Sequence, residues 1–379
     1  MGFDLEAKAV FLNKVDLNLT RDHHSIDYGP DSQGRARLAA YVCNHPGPES
    51  DPATDPTGLF QSTPSSAVDA AIDAVLQTDA AHPQGRNLIA CVVMDRMPIT
   101  GVTGQPVTGH LGETFTRFLV FGPNGDLLPS VNLDGSGEKF VPGACVACHG
   151  GTNYFALANK SDPAPAPSQP IFGGFPEDGS GGPDLLSYFL PYDVDNFAFH
   201  SQHPLTKDDQ QGAIFRLNSN AWQVNRAIAF TNQGSNSPQA MAFDNLFHGW
   251  YPGTLVFNST YVPTTTYQDS ESQSFYLNVV ARSCRTCHIA MDQANFERID
   301  PVFLNIRDLI CGQSLFDPPN SNRAYVMPNS RVTFDRFWLS DRANVIGQPP
   351  GTVDQPGTLR EYYSHRFNIP LPCPEPRAR

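Results

Sequence analysis

Phe140-Val141-Pro142-Gly143-Ala144-Cys145-Val146-Ala147-Cys148-His149-Gly150-Gly151 is the stretch on which the reading of this chain turns. Ser283-Cys284-Arg285-Thr286-Cys287-His288 repeats its kernel. Both hold Cys-x-x-Cys-His, in which two thiols on one helical turn can add across neighbouring vinyl groups of a haem. The adjacent His then falls beneath the iron as an axial ligand. The expectation is two covalently attached haem c groups, at Cys145, Cys148 and His149 and at Cys284, Cys287 and His288. The rival reading gathers the four cysteines into one tetrahedral zinc site or a redox pair. Zinc half-sites lie much closer in sequence than these two motifs, and zinc does not require His beside both pairs.

Outward from the motifs, composition narrows the class. The chain has 379 residues, 40% hydrophobic and only 17% charged, with 34 Pro and 30 Gly. That favours short elements joined by ordered loops over a helical bundle. A formal charge of −13 argues against nucleic acid and suits a redox partner protein with a basic or neutral face. No run of eighteen apolar residues is present, so no membrane span is expected. Nucleophile elbow, phosphate loop, dinucleotide fingerprint and His-Glu-x-x-His are all missing, so nothing in the sequence points to a hydrolase.

Of the eight cysteines, Cys43, Cys91, Cys311 and Cys373 fall outside the motifs. An even remainder fits two disulfides in an oxidising compartment, and proximity along the chain suggests Cys43–Cys91 and Cys311–Cys373. Haem is attached to such motifs outside the cytoplasm, so a periplasmic or cell-surface location is expected. The first residues lack the basic-then-apolar layout of a signal peptide, and the expectation is that a leader has been removed.

Residues 1–130 read as mixed and strand-rich. Glu113–Val120 alternates apolar and polar positions, Pro123–Asp126 makes a turn, and Leu127–Leu133 reads as the returning strand of a hairpin. Leu88–Met94 is a strand-length apolar run, and Ser65–Leu76 has helical spacing. Ser161–Pro183 is a Pro/Gly-rich loop. Thr206–Val224 opens with a Thr cap and acids, and Pro238–Trp250 has Pro near its start; both read as helices. Further helices are expected over Ser270–Cys284, Asp300–Cys311 and Ser330–Ile346. Asn132-Leu133-Asp134-Gly135-Ser136-Gly137-Glu138 spaces oxygen side chains like the start of a calcium loop, yet it is too short for an EF-hand. A plain turn is the better reading, with calcium possible but unlikely.

Ser270–Gly347 resembles a class I cytochrome c domain: a helix entering Cys284-Arg285-Thr286-Cys287-His288, a later Met327-Pro328 pair, and a terminal helix with Phe337 and Trp338. The resemblance implies that Met327 supplies its thioether to the iron face opposite His288, which raises potential relative to two His ligands. Phe118–Gly151 is similar to the first haem region of uncharacterised bacterial cytochrome c domain proteins, as are the second motif and its flanks. With these resemblances the fold class is α+β. It comprises a β-rich region ending in the first motif (1–160), a Pro/Gly-rich loop and helical region completing the first haem domain (161–269), and an all-α cytochrome c-like domain (270–379).

The first haem's sixth ligand is open between His23-His24, Met94 and Met97, His200 and His203, or no protein group. Related chains place a His after an Arg-Asp pair near the N-terminus, which favours His24 and then His23. His45, His82, His110, His248 and His365 are read as surface residues. Electron transfer is the leading function. The alternative is a dihaem peroxidase-like or other small-oxide reductase with an open first haem, for which Arg117, Glu113 and Tyr154 are the nearby acid/base or charge-stabilising candidates.

Overall fold

The structure is a computed structural model. It describes residues 6–14, 16–31, 34–48, 65–80, 82–98, 114–133, 137–150, 185–234, 237–291, 294–303, 333, 337–338, 353–368 and 370. The fold is α+β, as expected. Five long strands form an antiparallel meander: β1 (Glu6–Asn13), β2 (Leu19–Asp27), β3 (Leu38–His45), β4 (Ala90–Pro98) and β5 (Thr114–Phe121). A short β8 (Phe197–Ala198) adds to the β1 edge, giving the order β5-β4-β3-β2-β1-β8. β6 (Ser130–Val131) and β7 (Lys139–Phe140) make a separate two-stranded ribbon.

The strand pattern shows why the sheet is buried on both faces along β1. Ala7, Ala9 and Phe11 enter the large core, while the alternate residues Val10 and Leu12 pack on Val68, Ile72 and Val75 of α1 (Ser65–Leu76). That is the period of two expected of a strand. Cys43 and Cys91 are directly opposed on β3 and β4 and form the disulfide expected from their proximity. Cys311 and Cys373 lie outside the described residues.

The expected hairpin after β5 is only partly formed. Phe121 and Leu127 make a single bridge, and the returning chain then leaves β5. Ser130–Val131 pairs instead with Lys139–Phe140, so the segment leads into the first motif rather than widening the sheet. Helix α2 (Gly143–His149) carries that motif.

Helix α3 (Lys207–Gln233) runs further than the Thr206–Val224 pattern suggested. It opens with a capping box in which the Thr206 side chain accepts from Asp209 N, and the Asp209 carboxylate accepts from Thr206 N. The Gln210 side chain closes the free edge of β1, accepting from Val10 N and donating to Val10 O, which removes an open edge. Helix α4 (Pro238–Trp250) matches its sequence reading.

Helix α5 (Ser270–Phe275) continues as a π-helical run, Tyr276–Cys284, and α6 (Arg285–His288) follows. Pro301–Phe303 is a 3₁₀ turn, Thr333, Phe337 and Trp338 are helical, and α7 (Gln355–Phe367) follows them, a helix the sequence reading did not single out. No helix among the described residues is long and apolar enough to cross a membrane.

Two main cores result. The larger gathers residues from Ala7 to Ala290, so Ile289 and Ala290, next to the second motif, pack with the sheet and α3–α4. The smaller is aromatic, built from Tyr267, Phe275, Tyr276, Phe296, Trp338 and Tyr362 among others.

Candidate functional site

Between one face of the sheet and α2 lies a cavity of about 1340 Å³, mouth included. Strand register sets its floor: His23, Val42, Val92 and Val120 stand opposite one another across β2–β5. All four line the cavity, as do Met94 and its cross-strand partner Phe118. Cys145, Cys148 and His149 form the facing wall.

His149 is held by backbone. Its Nδ1 donates to Tyr188 O at 2.8 Å, which fixes the tautomer and leaves Nε2 with its lone pair. Burial lowers its pKa to about 4, so the ring is neutral at pH 7, as a metal ligand must be. The carbonyl is itself fixed from α3. Asn225 accepts from Phe189 N and donates to Phe189 O, both at 2.7 Å. Asn218 does the same for Tyr192, at 2.8 and 3.0 Å.

His288 repeats the arrangement. Its Nδ1 donates to Ala294 O at 3.0 Å, its ring stacks on Phe296 at 4.0 Å, and burial lowers its pKa to about 4. Burial pushes the Cys145 and Cys284 thiols up to about 12, so neither is an exposed reactive thiolate.

The sixth-ligand candidates separate cleanly. His23 points into the cavity, stacked on Phe11 at 5.3 Å and edge-on to Tyr192 at 5.1 Å. Its Nδ1 is buried with no hydrogen-bond partner among the described residues. Burial, then the nearby Arg21 charge, keeps the ring well below the usual histidine range. His24, its neighbour in a strand, necessarily faces the other way. It pairs with Glu6 at 2.6 Å and Asp22 at 3.0 Å and stacks on Tyr41.

Met94 is 5% exposed and lines the cavity; Met97, on the same strand, does not line it. His200 sits beside Asp69 and Asp73, and His203 bonds Asp209, both away from the cavity. Met327, Glu113, Tyr154 and His110 lie outside the described residues, as does part of the Asn132–Glu138 turn. Within that turn Asn132 Oδ1 accepts from Gly137 N.

Two readings need correction. Arg117 is on the sheet face away from the cavity, in a two-bond salt bridge to Asp95 at 2.7 and 2.9 Å. It is therefore not a group at the site. His45 is not a surface residue: it is 2% exposed and donates to Arg86 O at 2.8 Å. His82, His248 and His365 are exposed.

Among the described residues no three His, Cys, Asp or Glu side chains are placed to hold a metal ion. All four motif cysteines are described: Cys148 and Cys287 share the cavity wall, while Cys145 packs on the large core and Cys284 on the aromatic one, and the four are not gathered as a single tetrahedral zinc site requires. The residues sequence reasoning missed are the supports. Tyr188 acts through a backbone carbonyl, which has no side-chain signature. Asn218 and Asn225, seven apart on one helix face, were a legible signal.

Comparison with protein-family models, curated proteins and solved structures finds no match. The functional reading therefore rests on the chain itself.

Proposed function

We propose that the chain is a dihaem c-type cytochrome that transfers electrons. The observation carrying this reading is the pairing of two Cys-x-x-Cys-His turns with two half-buried histidines, each held neutral by its surroundings and anchored through Nδ1 to a backbone carbonyl. That anchoring is the support expected of axial imidazoles. The cavity, its apolar strand floor and the partnerless Nδ1 of His23 fit one haem between His149 and His23. Arg21, paired with Asp16 at 2.8 Å, and Lys139 also line the cavity and are the cations that propionates would meet. When bound, haem c supplies a reversible one-electron couple whose potential follows axial ligands and burial.

The chain's residues do the rest. Cys145 and Cys148 tether, His149 and His23 orient from opposite walls, and Val42, Val92 and Val120 exclude water. At the second site Cys284 and Cys287 tether and His288 ligates, with Met327 proposed on the opposite face from the likeness of this region to class I cytochrome c domains. The cell location that fits is the periplasm or cell surface, which the Cys43–Cys91 disulfide also suits.

The test is intact mass for two covalent haems, followed by ferric electron paramagnetic resonance with and without cyanide. Two low-spin signals unchanged by cyanide are expected. His23→Ala should convert one to a high-spin, cyanide-binding form, while His24→Ala should not. If Met94→Leu does this and His23→Ala does not, the thioether is the ligand. A wild-type high-spin component that cyanide converts would favour the open-haem, small-oxide reductase reading.

A further inference from the structure

The two motifs, far apart in sequence, touch. Helices α2 and α6 pack against each other. Cys287 and Thr286 of the second motif line the same cavity as Cys145, Cys148 and His149 of the first. The approach is as close as backbone permits. Gly150, directly after His149, has φ +60° and ψ −149°, a region essentially confined to glycine. A Cβ there would lie 2.0 Å from Ala290 O, just beyond the second motif.

Two further ties make the contact rigid. Arg285, between the second pair of cysteines, is bonded through two nitrogens to Asp193 at 2.7 and 2.8 Å, with both side chains buried. Asp193 belongs to the segment whose Tyr188 carbonyl anchors His149. The Gln239 side chain donates to Ile289 O, and Asn295 bonds both Gln239 and Ile289.

We infer that the two attachment sites form a single coupled redox unit, joined where α2 packs on α6 and Gly150 meets Ala290. This rests on the haem reading above. Because Gly150 follows the first motif and Ala290 lies just beyond the second, the groups the two turns would hold are tethered at one junction. With haem bound at both motifs, each site would supply a one-electron couple, and exchange between them would oxidise one and reduce the other with no atom transferred. External one-electron carrier proteins supply and remove that electron.

The test uses the full chain matured in a host that attaches haem c. Intact mass comes first, and fewer than two covalent haems overturns the haem reading itself. With two attached, low-temperature ferric resonance spectra are compared at full oxidation and with one site reduced to its diamagnetic ferrous form. Coupled sites give a broadened fully oxidised spectrum that sharpens in the remaining ferric signal once the neighbour is reduced. A fully oxidised spectrum equal to the sum of two independent signals, each unaltered by reduction of the other, overturns the inference and leaves the haem reading standing. Gly150→Ala, which forces the turns apart, should lose the broadening with both haems still attached. Broadening retained in that variant would overturn the α2–α6 junction. If the variant does not fold, the wild-type comparison decides alone.

Discussion

Glu297 is 4% exposed and holds two tyrosines: Tyr276 bonds one carboxylate oxygen and Tyr261 the other at 3.3 Å. Burial raises its pKa from 4.5 to about 7, against the opposing pull of the Tyr276 bond, the Arg285 charge and the Tyr261 bond; Asp193 adds a smaller upward push. The sign of the consequence follows from proton counts. Between pH 4.5 and about 7 the unfolded chain has ionised this carboxyl while the folded chain keeps its proton. The folded state binds more protons, so stability is full below 4.5 and falls as pH rises through 7. The loss is at most about 3 kcal/mol. Glu297→Gln is neutral throughout and should abolish that slope. Urea midpoints at pH 5 and pH 8 check it, and parallel curves for variant and wild type would refute it. At this scale the sequence names the proposed attachment residues directly, because five adjacent positions carry their whole pattern. It favoured His24, whereas His23 is the one that lines the cavity. Adjacent strand residues face opposite sides, and which side is inward depends on register set by Val42, Val92 and Val120 from other strands.

Helix α3 shows how an element positions a site it never touches. Its apolar residues Ile214, Leu217, Ala221, Val224 and Ile228 are buried, as helical spacing predicts. Asn218 and Asn225 sit within that buried stretch and are 2% and 1% exposed. Each supplies the donor and acceptor that an extended segment would otherwise find in a neighbouring strand. Asn225→Ala should strand Phe189 N and O in the core and cost about 2–3 kcal/mol, since each orphaned buried group costs about 1–3 kcal/mol. Chemical denaturation of the folded protein measures it. Asn225→Asp, which keeps only acceptors, should restore the bond from Phe189 N and not the one to Phe189 O. A loss below about 0.5 kcal/mol in Asn225→Ala would mean that water replaces both bonds. The limits of α1 and α4 were legible because caps, Pro and apolar spacing are local signals. The fate of the chain after β5 was not. Its turn chemistry is that of a hairpin, but Ser130 and Val131 find better partners in Lys139 and Phe140, and no local signal records that competition.

Across the whole molecule the sequence suggested a modular order: strand-rich region, helical middle, C-terminal domain. It missed the joint between them, because contacts such as Asp193–Arg285 leave no trace in spacing. That pair is where the large and the aromatic cores are bound together: Arg285 also lies over Trp250 at 5.0 Å and Tyr276 at 5.7 Å. With the two side chains 0% and 2% exposed, their attraction is set against the cost of removing both charges from water. Asp193→Leu alone leaves a guanidinium uncompensated in the interior and should destabilise by about 3–5 kcal/mol. Arg285→Leu alone leaves the carboxylate, Asn196 and the tyrosines around it unbalanced, with a loss of similar size. The double variant removes both charges and should recover most of that loss, because an apolar replacement of a buried pair is often near neutral. The cycle reads out as unfolding free energies of four proteins. If the two single losses add in the double variant, the pair is not a coupled joint. Strong non-additivity would mark Asp193–Arg285 as the lock that holds the second motif against the first.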